Sequence, residues 1–210
     1  MPLTFKEHIN KGFVVGTWKI DESVNWLEEK FEFAEEEKQY YNKFLVDSRR
    51  KQWLSSRLLV KELDPNSGAI IYDKEGKPLF KDIKAHLSVS HSYDYASAII
   101  SYSKNVGIDI EKASERLLRV KEKFLSDFEL GSVDKAQELK SLCTSWCAKE
   151  ALYKLYGLRK LDFREQILID PFAVEEKGTL KARIIVDEKV KKYKLAYQQL
   201  EEYMLVYVTE

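Results

Sequence analysis

The 210-residue chain carries no excess of charge of either sign: 35 basic and 35 acidic residues cancel. No global field therefore draws it toward nucleic acid or a membrane surface, and any anion site has to be local. Its only cysteines are Cys143 and Cys147, four residues apart in a segment of helical character. That spacing is neither a disulfide framework nor a four-ligand zinc pattern, and it suits two buried structural thiols. No stretch approaches the roughly 20 consecutive apolar residues of a membrane span. The start, MPLTFKEHINKGF, has no apolar run behind a basic head, so no leader is read there and a cytosolic protein is expected. Four prolines punctuate loops, no low-complexity linker appears, and there is no glycine-rich phosphate loop.

What is present is enough apolar sequence, 44% hydrophobic with 33% charged, for one sizeable core or two small fused ones. Alternation and β-forming composition predict strands over Phe13 to Ile20, Ile70 to Tyr72, Leu87 to His91 and Ala96 to Tyr102. Between them, helices are predicted over Ser23 to Tyr41 and Ser48 to Glu62, with turns at Asp64 to Gly68 and Asp73 to Pro78. A similar order follows: a strand from Val106, helices over Ser114 to Leu130 and Lys135 to Tyr156, then strands near Gln166 to Leu168, Leu180 to Val186, Lys191 to Gln198 and Tyr203 to Thr209. Two halves of comparable order predict an α+β chain of duplicated plan, each half a small antiparallel sheet packed with helices.

Three segments hold residue types suited to chemistry. In VGIDIE, Val106 to Glu111, an extended backbone points Gly107, Asp109 and Glu111 to one face. Two carboxylates about 7 Å apart along a strand repel unless a cation joins them, and magnesium takes such oxygen donors. Gly107 would leave room for a substrate there; the plain alternative is a strand with a polar outer face. In TSWCAKEALYKLYG, Thr144 to Gly157, Glu150 and Lys154 lie one helical turn apart. They could be a third carboxylate at the metal and a cation on a phosphate, or only a surface ion pair. Trp146 could wall that flank or fill the core. In LSVSHSYDYASAII, Ser90-His91-Ser92 closes a strand, as a phosphate cradle or as turn chemistry. Lys77 occupies a rigid turn, and Arg50 and Arg57 lie seven apart on one helix face; such residues are ordinarily surface cations.

In order, these pieces resemble a known family. A Gly76-Lys77-Pro78 turn, Ser90-His91-Ser92, Gly107 to Glu111, then W-x-x-KEA-x-x-K-x-x-G over Trp146 to Gly157 is similar to the 4'-phosphopantetheinyl transferase superfamily, in its larger surfactin-synthetase-activating type. The resemblance runs over roughly residues 48 to 157. It implies a pseudo-dimer of two α+β halves, 1–104 and 105–210, with coenzyme A in a cleft between them. It implies an enzyme of the holo-[acyl-carrier-protein] synthase type. Such an enzyme moves phosphopantetheine from coenzyme A to a serine of an apo acyl or peptidyl carrier protein and releases adenosine 3',5'-bisphosphate. By position, Asp109, Glu111 and Glu150 look like the ligands of magnesium, or of manganese in its place, and Lys154 like the lysine on the coenzyme A phosphates. His91 and Lys77 resemble the residues that grip the 3'-phosphate and the diphosphate, with Ser90 assisting. Arg57 falls in a stretch resembling the family's A-G-R-L-x-x-R, and Arg50 is the candidate for a nearby nucleotide-phosphate contact. Glu129, three residues after Ser126, corresponds to an acid proposed to deprotonate the serine, with Asp127 close by. The basic run Arg116 to Lys123 is either a carrier-docking surface or a solvated helix face. Nucleic acid and membrane partners are not expected, and a monomer is. The alternative from another class is a non-catalytic module that binds coenzyme A or a carrier on the same fold.

Overall fold

The computed structural model describes residues 3–9, 12–158 and 161–210. It begins with a strand the periodicity reading passes over, β1 (Leu3–His8), whose residues alternate between half-buried and exposed. β1 pairs antiparallel with β2 (Phe13–Lys19). The predicted helix from Ser23 to Tyr41 is two helices, α1 (Val24–Lys30) and α2 (Glu35–Tyr41). Phe31 leaves helical geometry, at φ −102° and ψ 118°. It and Phe33 then turn their rings onto Trp53, 5.7 Å and 6.1 Å away by centroid. Aromatics two residues apart cannot share one helix face, and burying both is worth more than continuing the helix. Trp53 belongs to α3 (Asp47–Leu63), after which come the hairpin β3 (Ile70–Tyr72) and β4 (Pro78–Phe80), then β5 (His86–Ser92) and β6 (Tyr95–Ser101).

These elements form the first of two compact units, Met1–Val106 and Gly107–Glu210. Its main sheet has the order β1-β2-β6-β5. The core joins Leu54, Leu59 and Val60 of α3 to Val14 and Trp18 of β2 and Ala98 and Ile100 of β6.

The second unit opens with β7 (Val106–Lys112), continues through α4 (Arg116–Phe124) and α5 (Asp127–Gly131), and then enters α6 (Glu138–Tyr156). The single helix predicted over Ser114 to Leu130 is interrupted because Ser126 starts α5 as an N-cap. Ser126 takes the Glu129 amide at 3.4 Å while the Glu129 carboxylate takes the Ser126 amide at 2.8 Å, a reciprocal capping box. α6 stops where Gly157 adopts φ 73°, a left-handed turn that glycine enters without steric cost. Strands β8 (Ile167–Ile169), β9 (Lys177–Val186), β10 (Lys189–Leu200) and β11 (Tyr203–Thr209) follow. They give a five-stranded sheet of order β7-β11-β10-β9-β8.

One face of that sheet buries Leu180, Ala182 and Ile184 of β9 and Tyr193, Leu195 and Tyr197 of β10, in a core shared with Cys147, Ala148, Ala151 and Leu152 of α6. Both cysteines are free and buried, as structural thiols should be. The units share a motif: β2-β6-β5 in one and β7-β11-β10 in the other, each pairing the strand before the long helix with the last strand of the unit.

Candidate active site

The acids of VGIDIE face α6, and Gly107 explains why they come so close to it. A Cβ built on Gly107 would fall 1.9 Å from the backbone oxygen of Ala151 and 3.0 Å from Cβ of Leu155. The missing side chain therefore serves the contact between strand and helix, and the expectation that it leaves room for a substrate is corrected. Asp109 and Glu111, on the same face by alternation, are carried to the side of α6 that bears Glu150 and Lys154. Asp109 is buried, and its Oδ1 accepts from Lys154 Nζ at 2.7 Å; the same ammonium donates to the Ile108 carbonyl at 3.1 Å. Lys154 thus reaches across to β7 and bonds to Asp109, not to Glu150 one turn back on its own helix. Burial first, then the charge of Asp109, pushes the Glu150 carboxyl up to about 7, with Glu111 adding to the rise and Lys154 opposing it. Three acids and one lysine thus meet where β7 crosses α6.

Glu129 has a different place. It is buried, and its Oε2 accepts from Lys149 Nζ at 2.9 Å and from the amide and hydroxyl of Ser126 at 2.8 Å each; its Oε1 takes the Ile169 amide at 2.8 Å. Lys149, wholly buried, also donates to the carbonyls of Phe163 at 2.7 Å and Ile167 at 2.5 Å. A carboxylate whose oxygens are engaged in this way anchors α5 to α6 and β8 and has no lone pair poised for an incoming hydroxyl. The base role read for Glu129 is therefore revised to a structural one. Asp127, its neighbour, is exposed and bonds Arg164 at 2.8 Å. Lys149 is the residue that sequence reasoning missed, although it stands beside Glu150 in the KEA triplet. Trp146 stacks edge-on against Phe124 at 5.1 Å and lies 5.8 Å from Phe163, so it packs as a core aromatic.

In the first unit, the arginines expected to hold a nucleotide phosphate are both occupied. Arg57 is 2% exposed, and its guanidinium lies over the Trp53 ring at 4.4 Å while donating to the Tyr72 hydroxyl at 2.6 Å. It is a structural cation inside an aromatic cage, which corrects its reading as a ligand contact. Arg50 donates to the Phe44 carbonyl at 3.0 Å and rests over Tyr41. Its neighbour Arg49 instead shares an open pocket of about 460 Å³ with His91, Ser48, Gln52 and Tyr93. Ser90 is buried and, one residue before His91 on β5, points to the other face of the sheet, away from that pocket. Lys77 sits at the end of the β3–β4 turn, its amide bonded to the Asp73 carboxylate at 2.8 Å, and burial draws its ammonium below the ordinary lysine value.

Comparison with known proteins meets this geometry in the second unit. Residues 105–208 match the model of the 4'-phosphopantetheinyl transferase superfamily, a span that contains Asp109, Glu111, Glu150 and Lys154. Through it the chain belongs to that superfamily. Among individual relatives, the 4'-phosphopantetheinyl transferase gsp of Aneurinibacillus migulanus is 34% identical over 97 residues, 44% of this chain and 40% of that protein. The 4'-phosphopantetheinyl transferase HetI of Nostoc sp. strain PCC 7120 is 25% identical over 132 residues, 55% of this chain and 56% of that protein. The matches thus span about half the length of these curated relatives.

Within the superfamily segment the acid cluster can be weighed as a cation site. Among the described residues, no three His, Cys, Asp or Glu side chains are drawn together tightly enough to hold a metal ion as they stand. The donors nonetheless fit a hard divalent cation in kind: all are carboxylates, the ligand type magnesium takes. Burial first, and then the charges of Asp109 and Glu111, disfavour ionisation of Glu150 against the opposing Lys154, a cost that a bound cation would offset.

Proposed function

We propose that this chain transfers the phosphopantetheine group of coenzyme A to a serine of an apo acyl or peptidyl carrier protein, with magnesium or manganese, releasing adenosine 3',5'-bisphosphate. The observation that carries the reading is the convergence of Asp109, Glu111, Glu150 and Lys154 where β7 crosses α6, inside the segment matched to the superfamily. Asp109, Glu111 and Glu150 would hold the cation, which when bound would draw negative charge off the diphosphate oxygens.

The chain's own residues do the remaining work. The serine oxygen attacks the phosphorus nearest the pantetheine in line, the bond to the bridging oxygen breaks, and its electron pair leaves with adenosine 3',5'-bisphosphate. Lys154 and Lys77 place positive charge against the diphosphate as that charge builds, which lowers the barrier by position and electrostatics. His91 takes the nucleotide's 3'-phosphate, and Arg49, which shares its pocket, replaces Arg50 and Arg57 as its partner. With Glu129 committed to Lys149, the serine proton passes to a carboxylate of the acid cluster. The duplicated plan, supported by the matching strand orders of the two units, belongs to the same proposal.

The deciding experiment is mass spectrometry of apo carrier proteins incubated with the chain, coenzyme A and magnesium. A gain of one phosphopantetheine is expected, and Asp109→Ala should abolish it while circular dichroism is unchanged. Unmodified carriers of fatty-acid, polyketide and nonribosomal-peptide type, together with retained coenzyme A binding, would leave a non-catalytic binding module. Wild-type transfer by Asp109→Ala would remove the acid cluster from the reaction.

A further inference from the structure

In the β9–β10 ladder Lys192 stands opposite Arg183 and Lys194 opposite Lys181. The residues alternating with them, Ala182, Tyr193 and Leu195, lie in the core on the α6 side. All four cations therefore project from the other face of the sheet, where they line an open groove of about 510 Å³. Among the described residues that line the groove, the acid is Asp170, which takes Arg183 Nη1 at 2.6 Å. Like charges directly opposite one another weaken a ladder, by up to about 1 kcal/mol for each pair. Two such rungs, successive on this face with the Tyr193–Ala182 rung between them, work against the fold, so their use is to be sought outside it. The next rung on this face toward the hairpin tip pairs Ile185 with Val190, and Val190 is 53% exposed. The turn beyond it is Asp187-Glu188, both residues in the left-handed region.

We infer that this face docks an acidic segment of a protein partner, with an apolar side chain a short step beyond its carboxylates. The cationic rungs meet the acids, and the Ile185–Val190 rung takes the apolar group. A nucleic acid fits less well. Its phosphate backbone would run on from the two rungs onto Asp187 and Glu188, and the neutral chain lacks the cation excess that phosphate binding draws on. The same two acids at the tip oppose an anionic lipid surface. The face is also separate from the acid cluster. β9 is three strands from β7, about 14 Å at the usual strand spacing, and its cations point away from α6 whereas Asp109 points toward it. A segment held here is a second contact, distinct from any serine presented at Asp109, and the inference stands whether or not the chain is a transferase.

The test is fluorescence anisotropy of the full chain with a labelled peptide Asp-Glu-Asp-Glu-Ser-Leu at low salt. Saturable binding is expected. The exposed pair Lys181→Glu and Lys194→Glu should weaken it by about tenfold or more, with circular dichroism and melting unchanged or improved. Val190→Asn should weaken binding of this peptide but not of the version with serine in place of leucine. No saturable binding, equal binding by the double variant, or tighter binding of a single-stranded oligonucleotide of the same charge would each overturn the inference.

Discussion

Glu150→Gln in the metal-free protein isolates the electrostatic strain at the crossing of β7 and α6. A carboxyl held at about 7 instead of 4.5 is costlier to ionise in the folded chain than in the unfolded one. At roughly 1.4 kcal/mol per pH unit this amounts to about 3 kcal/mol, and its partial exposure reduces that to about 2. Because the folded value is the higher one, stability is lost as pH rises from about 4.5 to about 7 and stays low above that. Glutamine is neutral at every pH and copies the protonated acid in size and hydrogen bonding. Urea unfolding with a chelator present should therefore find Glu150→Gln more stable than wild type by about 2 kcal/mol at pH 8, and by less than about 1 kcal/mol at pH 5. Magnesium should then stabilise wild type more than the variant, through preferential binding to the folded state. A variant that is equally or less stable at pH 8 with chelator would refute the reasoning, because burial and the charges of Asp109 and Glu111 would then not be raising the Glu150 carboxyl.

Gly107→Ala places a Cβ 1.9 Å from the Ala151 oxygen, a backbone atom that can yield only if β7 and α6 separate. Calorimetry should show a loss of about 3 kcal/mol or more, or no folded second unit, and a loss under 1 kcal/mol would show the contact to be slack. Lys149→Met strands a buried Glu129 carboxylate and should cost about 3–5 kcal/mol in urea. Adding Glu129→Gln should restore part of that, and no restoration would deny the ion pair. Arg49→Ala should raise KM for coenzyme A by about tenfold while leaving KM for dephospho-coenzyme A unchanged, whereas Arg50→Ala should change neither selectively. Equal effects of Arg49→Ala on both substrates would remove the 3'-phosphate from the His91 pocket.

Most of the element order was legible because the second half keeps clean periods: 3.6 through Thr144 to Tyr156 and 2 through the strands that follow. The breaks were harder to see. At Phe31 and Phe33 a two-residue aromatic spacing sits inside a helical pattern, and only the presence of Trp53 makes burying both rings worth a broken helix. Depth was legible for the two thiols but not for the charged side chains. Arg57 and Glu129 have residue types and spacings that suit a binding site, yet each is enclosed by partners distant in sequence, Tyr72 for one and Lys149 and Ile169 for the other. A one-dimensional pattern gives a residue's face and says nothing of what covers that face.

Lys149 and Glu150 show the same limit at its smallest scale and point to how the site is built. Adjacent helical residues lie about 100° apart, so Lys149 enters the core toward α5 and β8 while Glu150 turns toward the β7 acids. One residue fixes where α6 sits, and the next uses that position. Gly107 sets the other coordinate, the distance of β7 from α6. The positions of Asp109 and Glu111 relative to Glu150 and Lys154 thus depend on a buried ion pair and an absent side chain, neither of which is itself among the residues proposed to touch substrate. A substitution that loosens either one should impair the acid cluster even with all four of its side chains intact.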